Sequence, residues 1–287
     1  MLITSFQNPR VKYLRSLRLR KYRQRENRFL VEGIRIVEEA LDRDAPLETL
    51  VYAPDLLVSE RAQALVERVE PGQRLALAGD VFASLSDRDQ PQGIAAVIRV
   101  EEPSLTDLPL TDDLLIVVAH QLRDPGNLGS IIRTADSAGA TGIVIVEPSV
   151  DLYDPQAVRA TMGSLFALPI VRLADDGPLA PWYSQVRDSG LPLLVVATSA
   201  RGPQLYFEVG YQRPIVLLLG SERRGLPEPV RQEADVVVRL PMSGTSTSLN
   251  VSGAAAALIY EVVRQRMTAT EPGQGGSIRG EGAEGGI

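Results

Sequence analysis

The chain has 287 residues, 44% of them hydrophobic and 23% charged, with no cysteine, one histidine and a net charge of −6. That balance is typical of a soluble globular protein with one large domain or two ordinary ones. It excludes disulfides, thiolate metal sites, iron–sulfur clusters and a cysteine nucleophile, and a lone His120 excludes multi-histidine metal sites and argues against a serine–histidine–acid triad.

The charge is unevenly spread. Residues 1–28 carry nine basic side chains (Arg10, Lys12, Arg15, Arg18, Arg20, Lys21, Arg23, Arg25, Arg28) against Glu26, a local charge of +8, and the remainder sums to −14. An acidic protein with a basic arm still meets polyanions, provided the arm makes the contact. The cations lie around the whole helical wheel, a distribution that also fits a plain solvated arm. No apolar run reaches the ~18 residues of a membrane span. The N-terminal stretch MLITSFQNPRVKYLRSLR lacks the apolar core of a secretion signal, so the expected location is the cytoplasm.

After the arm, FLVEG (29–33) reads as a strand and GIRIVEEALDR as a helix. LETLVYA with Leu47 reads as a strand, and SERAQALVERVE as a helix capped by Ser59. RLALAG, DVFASLSD and GIAAVIRV read as strand, short helix and strand, giving a small α/β domain over 1–100. EEPSLTDLPLTDD (101–113), with two prolines and five acids, reads as a linker. Apolar runs expected of buried strands follow at LLIVVA (114–119), GIVIVE, PLLVVAT, PIVLLLG and DVVVRLP. Helical patterns lie between them at GNLGSIIRTADSAG, DPQAVRATMGSLFAL and PWYSQVRDSG, and an alanine-rich helix at about 248–267 closes the pattern. The alternation predicts a mostly parallel sheet covered by helices. The glycine-rich residues 268–287 read as a disordered tail.

Ligands of open α/β sheets gather where strands lead into helices. Three such loops stand out. In HQLRDPGNLGSIIRTADSAGA (120–140), Asn127 is a candidate helix cap and Arg133 follows six residues later. LLLGSERRGLPEP (217–229) superficially matches a phosphate loop, but Leu226 and Pro227 stand where Lys and Ser/Thr are required. No G-x-G-x-x-G follows a strand, which argues against a nicotinamide oxidoreductase. In RLPMSGTSTSLNVSGAAAALIYEVV (239–263), small polar residues lead into a helix that Ser248 is placed to cap. Each pattern alone is an ordinary strand–turn–helix connection.

Together, DPGNLGSIIRTADSAGA, LLLGSERRGL and LPMSGTSTSLNVSGAAAALIYE resemble, in order and spacing, the three motifs of the SpoU/TrmH family of RNA 2′-O-ribose methyltransferases in the SPOUT superfamily. The resemblance covers about 114–267. NPRVKYLRSLRLRKYRQRENRFLVEGIRIVEEAL resembles, less specifically, the substrate-binding domain that precedes the catalytic domain in ribosomal-RNA members. The implied fold class is α/β: a SPOUT-type parallel sheet with a C-terminal trefoil knot, preceded by a small α/β RNA-binding domain.

The resemblance also implies S-adenosyl-L-methionine as cofactor, methylation of a ribose 2′-hydroxyl, a homodimer and no metal. Matching the motifs puts the cofactor against Thr198, Gly220, Leu240, Met242 and Leu249. It gives Asn127, Arg133, Glu222, Ser248 and Asn250 roles in substrate binding or catalysis. Arginine's pKa above ~12 favours Arg133 fixing a phosphate and polarising the hydroxyl; accepting its proton is the other role open to it. His120 falls outside the motifs and is expected to be structural. Beside an RNA enzyme, Arg10, Lys12, Arg15, Arg18, Lys21 and Arg23 are expected to contact phosphates. The extra N-terminal domain favours large-subunit ribosomal RNA. The alternatives are transfer RNA as substrate, and a non-catalytic RNA-binding or ribosome-assembly factor on the same fold.

Overall fold

The computed structural model describes residues 2–245 and 247–269. Its first part comprises β1 (Leu2–Ile3), α1 (Pro9–Ser16), α2 (Arg20–Glu26), β2 (Arg28–Glu32), α3 (Ile34–Asp42), β3 (Leu47–Tyr52), α4 (Glu60–Glu67), β4 (Arg74–Leu77), α5 (Gly79–Ala83) and β5 (Ile94–Arg99). Local signals explain these elements. Asn8 caps α1 with Pro9 in its first turn, and the Ser59 hydroxyl accepts from the Ala62 amide to open α4. The five strands form a mixed sheet in the order β1-β4-β3-β5-β2.

The second part comprises β6 (Leu115–His120), α6 (Pro125–Ser137), β7 (Gly142–Val146), α7 (Pro155–Thr161), β8 (Ile170–Leu173), α8 (Leu179–Asp188), β9 (Leu194–Thr198), β10 (Gln204–Leu205), β11 (Ile215–Leu219), α9 (Glu228–Gln232), β12 (Val236–Arg239) and α10 (Val251–Ala269). Its seven strands run in the order β10-β12-β9-β11-β6-β7-β8, every neighbouring pair parallel. All residues of β6, β7 and β11 are buried, as their unbroken apolar runs predict for a sheet covered on both faces.

Several expectations need correction. DPQAVRATMGSLFAL is not one helix: α7 stops at Thr161, Met162 and Gly163 take positive φ, and a short 3-10 turn covers Ser164–Phe166. The strand β8, IVRL, was not expected. Within 101–113, read as a linker, Leu108 is buried in one cluster with Leu114, Ile116 and Val144. The alanine-rich helix extends to Ala269, past the expected start of the glycine-rich tail, and residues 270–287 lie outside the described residues.

The two parts share one hydrophobic core. Phe29 and Val31 of β2 and Ile36 of α3 join Leu128, Tyr153 and Val158 in the same buried cluster. The Phe29 and Tyr153 rings stack across the seam with centroids 4.4 Å apart.

Candidate active site

In the seven-stranded sheet the strand order reverses between β6 and β11. The chain moves outward through β7 and β8 on one side of β6, then returns to lay β11 on the other. A crevice outside the carboxyl ends of two such strands is where open α/β sheets bind ligands. The loops leaving these strands, 121–124 and 220–227, meet there. The Asn127 side-chain amide donates to Glu222 Oε1 at 3.0 Å, and the Arg123 backbone amide donates to Glu222 Oε2 at 3.3 Å. Partial burial pushes the Glu222 carboxyl up. Hydrogen bonds from the Asn127 side chain and from the amides of Glu222, Arg123 and Asp124 outweigh it, leaving the group below its ordinary value and so charged at neutral pH.

Asn127 does not cap α6. Asp124 does, its carboxylate accepting from the Asn127 backbone amide at 2.7 Å, with Pro125 in the first turn. That leaves the Asn127 side chain for Glu222. Arg133, two turns further along α6, is exposed and makes no hydrogen bond or ion pair with any described residue.

Gly220 is required where it stands. A Cβ there would lie 2.2 Å from the Gly225 carbonyl carbon and 2.3 Å from the Leu226 nitrogen, because the loop folds back over it. On the adjacent strand the Thr198 hydroxyl donates to the Leu218 carbonyl at 2.9 Å. Arg239, ending β12, donates to the carbonyls of Gly202 and Pro203 and holds that crossing loop down. A Cβ at Gly202 would meet the Val238 carbonyl carbon at 2.5 Å.

The described residues between β12 and α10, 240–245 and 247–250, lie outside any helix or strand, with Leu240 half-buried and Met242 and Leu249 exposed. The direction of α10 fixes where this run lies. Near its C-terminus the Arg266 guanidinium donates to the carbonyls of Leu114 and Arg213, just ahead of β6 and β11. The helix therefore runs opposite to those strands, and Ser248, Leu249 and Asn250 lie towards the same end of the sheet as Glu222. Ser248 is not the cap expected: α10 starts at Val251, and Asn250 Oδ1 accepts from the Ser252 amide at 2.8 Å. Backbone groups beside the apolar Leu240, Met242 and Leu249 suit a neutral adenine and ribose, so the residues present fit an adenosyl cofactor.

His120 ends β6 fully buried, with Nε2 3.4 Å from Asp176 Oδ2. Among the described residues no group of acidic, histidine or cysteine side chains has a metal-holding arrangement. Sequence reasoning missed Arg123, Arg201, Arg223 and Arg224, exposed cations on the loops at this end of the sheet with no side-chain partner among the described residues. The Arg-Arg pair after the most apolar strand was the available signal.

Residues 114–260 match the model of the SpoU rRNA Methylase family, and residues 8–96 match that of the MRM3-like substrate binding domain. The chain belongs to the SpoU rRNA methylase family. It is 37% identical over 257 residues to the 23S rRNA (uridine(2479)-2'-O)-methyltransferase of Streptomyces viridochromogenes, covering 88% of this chain and 89% of the relative. Among solved structures it is similar to the SpoU methyltransferase AviRb from that organism in complex with the cofactor AdoMet. The TM-score is 0.86 at 35% identity, over 91% of this chain and 99% of that one. It is also similar to the AdoMet-bound rRNA methyltransferase from Sinorhizobium meliloti, with a TM-score of 0.82 at 36% identity, over 92% and 97% of the two chains. The loops after β6, β11 and β12 all lie within the matched residues 114–260.

The arm needs a further correction. Arg23, expected on RNA, is buried at 3% exposure and paired with Asp151. Arg18 pairs with Asp87, and Arg15 donates to the Ser84 hydroxyl at 2.9 Å. Arg10, Lys12 and Lys21 remain exposed.

Proposed function

We propose that this protein transfers a methyl group from S-adenosyl-L-methionine to a ribose 2′-hydroxyl of large-subunit ribosomal RNA. The observation that carries the reading is the meeting of Asn127 and Glu222 at the switch point, in a chain that aligns nearly end to end with a 23S ribose methyltransferase. The cofactor, held by backbone groups near Thr198, Gly220, Leu240, Met242 and Leu249, supplies an electrophilic methyl group.

Transfer would form the bond from the 2′-oxygen to the methyl carbon as the carbon–sulfur bond breaks and the hydroxyl proton leaves to water, so the oxygen must be held about 3 Å from that carbon. Arg133 anchors the adjoining phosphate and polarises the hydroxyl. Asn127, fixed by Glu222, orients the ribose, while Ser248 and Asn250 close the site from the start of α10. Residues 1–100 hold RNA, residues 101–113 link, and residues 114–267 catalyse, with the C-terminal segment threaded as a trefoil knot. The close approach of Gly202 to Val238, 36 residues later in the chain, suits such threading. The protein acts as a homodimer in the cytoplasm. Exposed Tyr260 and Met267 on α10, with Met242 and Leu249 ahead of it, give a second copy an apolar surface. No helix among the described residues is long and apolar enough to cross a membrane.

Mapping 2′-O-methyl groups in total RNA from cells with and without the protein tests this reading. One ribosomal position should lose its methyl group and regain it on complementation. Loss at a transfer-RNA position instead would replace the substrate, and no loss anywhere would remove the activity.

A further inference from the structure

Arg23 sits at the junction of the two parts. Its Nε and Nη2 donate to Asp151 Oδ2 at 3.0 and 2.6 Å, and Nη1 donates to the carbonyls of Leu17 and Arg18 at 2.9 and 2.7 Å. One guanidinium thus joins α2, the end of α1 and the loop between β7 and α7. The other oxygen of Asp151 accepts from the Tyr153 amide at 3.1 Å, beneath the ring that stacks on Phe29.

The connection continues into the active site. Because β6 and β7 are parallel, the loop carrying Asp151 leaves the sheet at the same end as the loop after β6. The Val150 amide, next to Asp151, donates to the Leu122 carbonyl at 2.7 Å, and the amide of the following residue, Arg123, donates to Glu222. Three short links therefore run from the basic arm to the carboxylate that holds Asn127.

A buried ion pair is a weak source of stability, since apolar residues of similar volume often do as well. A planar fork with four directed hydrogen bonds does define one relative position. We propose that Arg23 and Asp151 are positioning residues that hold the arm's exposed cations, Arg10, Lys12 and Lys21, at one fixed offset from the ribose site, so that RNA is gauged by a single rigid body. This rests on the RNA-methylation reading above.

The test is the Asp151→Asn variant of the full chain, assayed with its ribosomal RNA for KM, kcat and the salt dependence of binding, and by calorimetry for the cofactor. Removing an acid from a protein that binds a polyanion should tighten binding by simple electrostatics. Registration predicts the opposite: a KM for RNA raised roughly tenfold and a shallower salt slope, with kcat and cofactor affinity unchanged. Arg23→Lys, which keeps the charge but loses the fork, should give a smaller change in the same direction and covers failure of the first variant to fold. Val158→Ala, which thins the packing of the same seam and spares the pair, should leave KM unchanged. Unaltered or tighter RNA binding in a folded Asp151→Asn or Arg23→Lys protein, or an equal KM rise in Val158→Ala, overturns the proposal. Absence of methyl transfer by the wild-type protein in the same assay strikes the functional reading instead.

Discussion

The basic arm and the catalytic end of the sheet use arginine in opposite ways. Of the nine cations in residues 1–28, five arginines are engaged with carboxylates: Arg18 with Asp87, Arg20 with Glu147, Arg23 with Asp151, Arg25 with Glu26 and Arg28 with Glu48. Inside the acidic part of the chain, Arg123, Arg223 and Arg224 on the loops after β6 and β11, and Arg133 on α6, are exposed with no carboxylate partner among the described residues. Charge counted along a sequence is therefore not charge available to a polyanion. The +8 arm serves largely to build structure, and the acidic domain keeps its few free guanidinium groups where a phosphate would arrive.

That contrast can be broken or sharpened by substitution. The largest effect belongs to Arg133→Ala, which should lower kcat about 100- to 1,000-fold, the usual loss for a directed donor at a reacting oxygen. Cofactor affinity measured by calorimetry should hold, and near wild-type turnover in a radiolabelled methyl assay would erase the distinction between free and committed arginines. Next comes Gly220→Ala. Its methyl group would overlap the backbone of Gly225 and Leu226, so thermal unfolding should show a loss of about 1–3 kcal/mol together with weakened cofactor binding.

Neutralising only the exposed arm cations, Arg10, Lys12 and Lys21, should weaken RNA binding roughly tenfold and reduce the log–log salt slope by about two to three. Adding Arg18→Ala should change the slope little, because that side chain already faces Asp87. A full unit of further slope loss would return Arg18 to the RNA surface.

The smallest effect is expected at Glu222. Its folded pKa lies below its ordinary value, so its links contribute stability above the carboxylate range and lose it as pH falls through the folded value. Glu222→Gln should lower stability at pH 7 by no more than about 1 kcal/mol, given solvent screening at this exposed group. The thermal midpoints of the two proteins should converge as pH falls below the ordinary carboxylate range. A gap that widens in acid would contradict the sign.

Much of this architecture was legible from periodicity. Unbroken apolar runs marked β6, β7, β9, β11 and β12, and Ser59 announced α4. What escaped was non-local. No helical wheel shows that Arg23 faces an aspartate 128 positions away. Asp124 and Asn127 are both good caps, and only the position of Glu222, 95 residues later on the loop after β11, decides which one caps α6 and which one faces that carboxylate. β8 has four residues and follows a helix-like pattern, so length and period gave it no signal. The motif residues were legible as a set through resemblance, while their convergence depends on a strand order that one-dimensional spacing does not contain.

That strand order also dictates when the protein becomes functional during its own synthesis. The central strand of the seven, β11, is the sixth made, and it inserts between β6 and β9, both already translated. Until residue 219 has left the ribosome, β6 lacks its inner neighbour and the crevice has only one wall. The N-terminal sheet, complete by Arg99, can form well before that. The nascent chain can thus pair its five N-terminal strands before the crevice between β6 and β11 exists, while Phe29, Val31 and Arg23 still wait for their partners Tyr153, Val158 and Asp151. Of the two pairings of β11, the one with β6 joins residues 100 positions apart, Ile215 with Leu115, and carries the larger loop-closure cost.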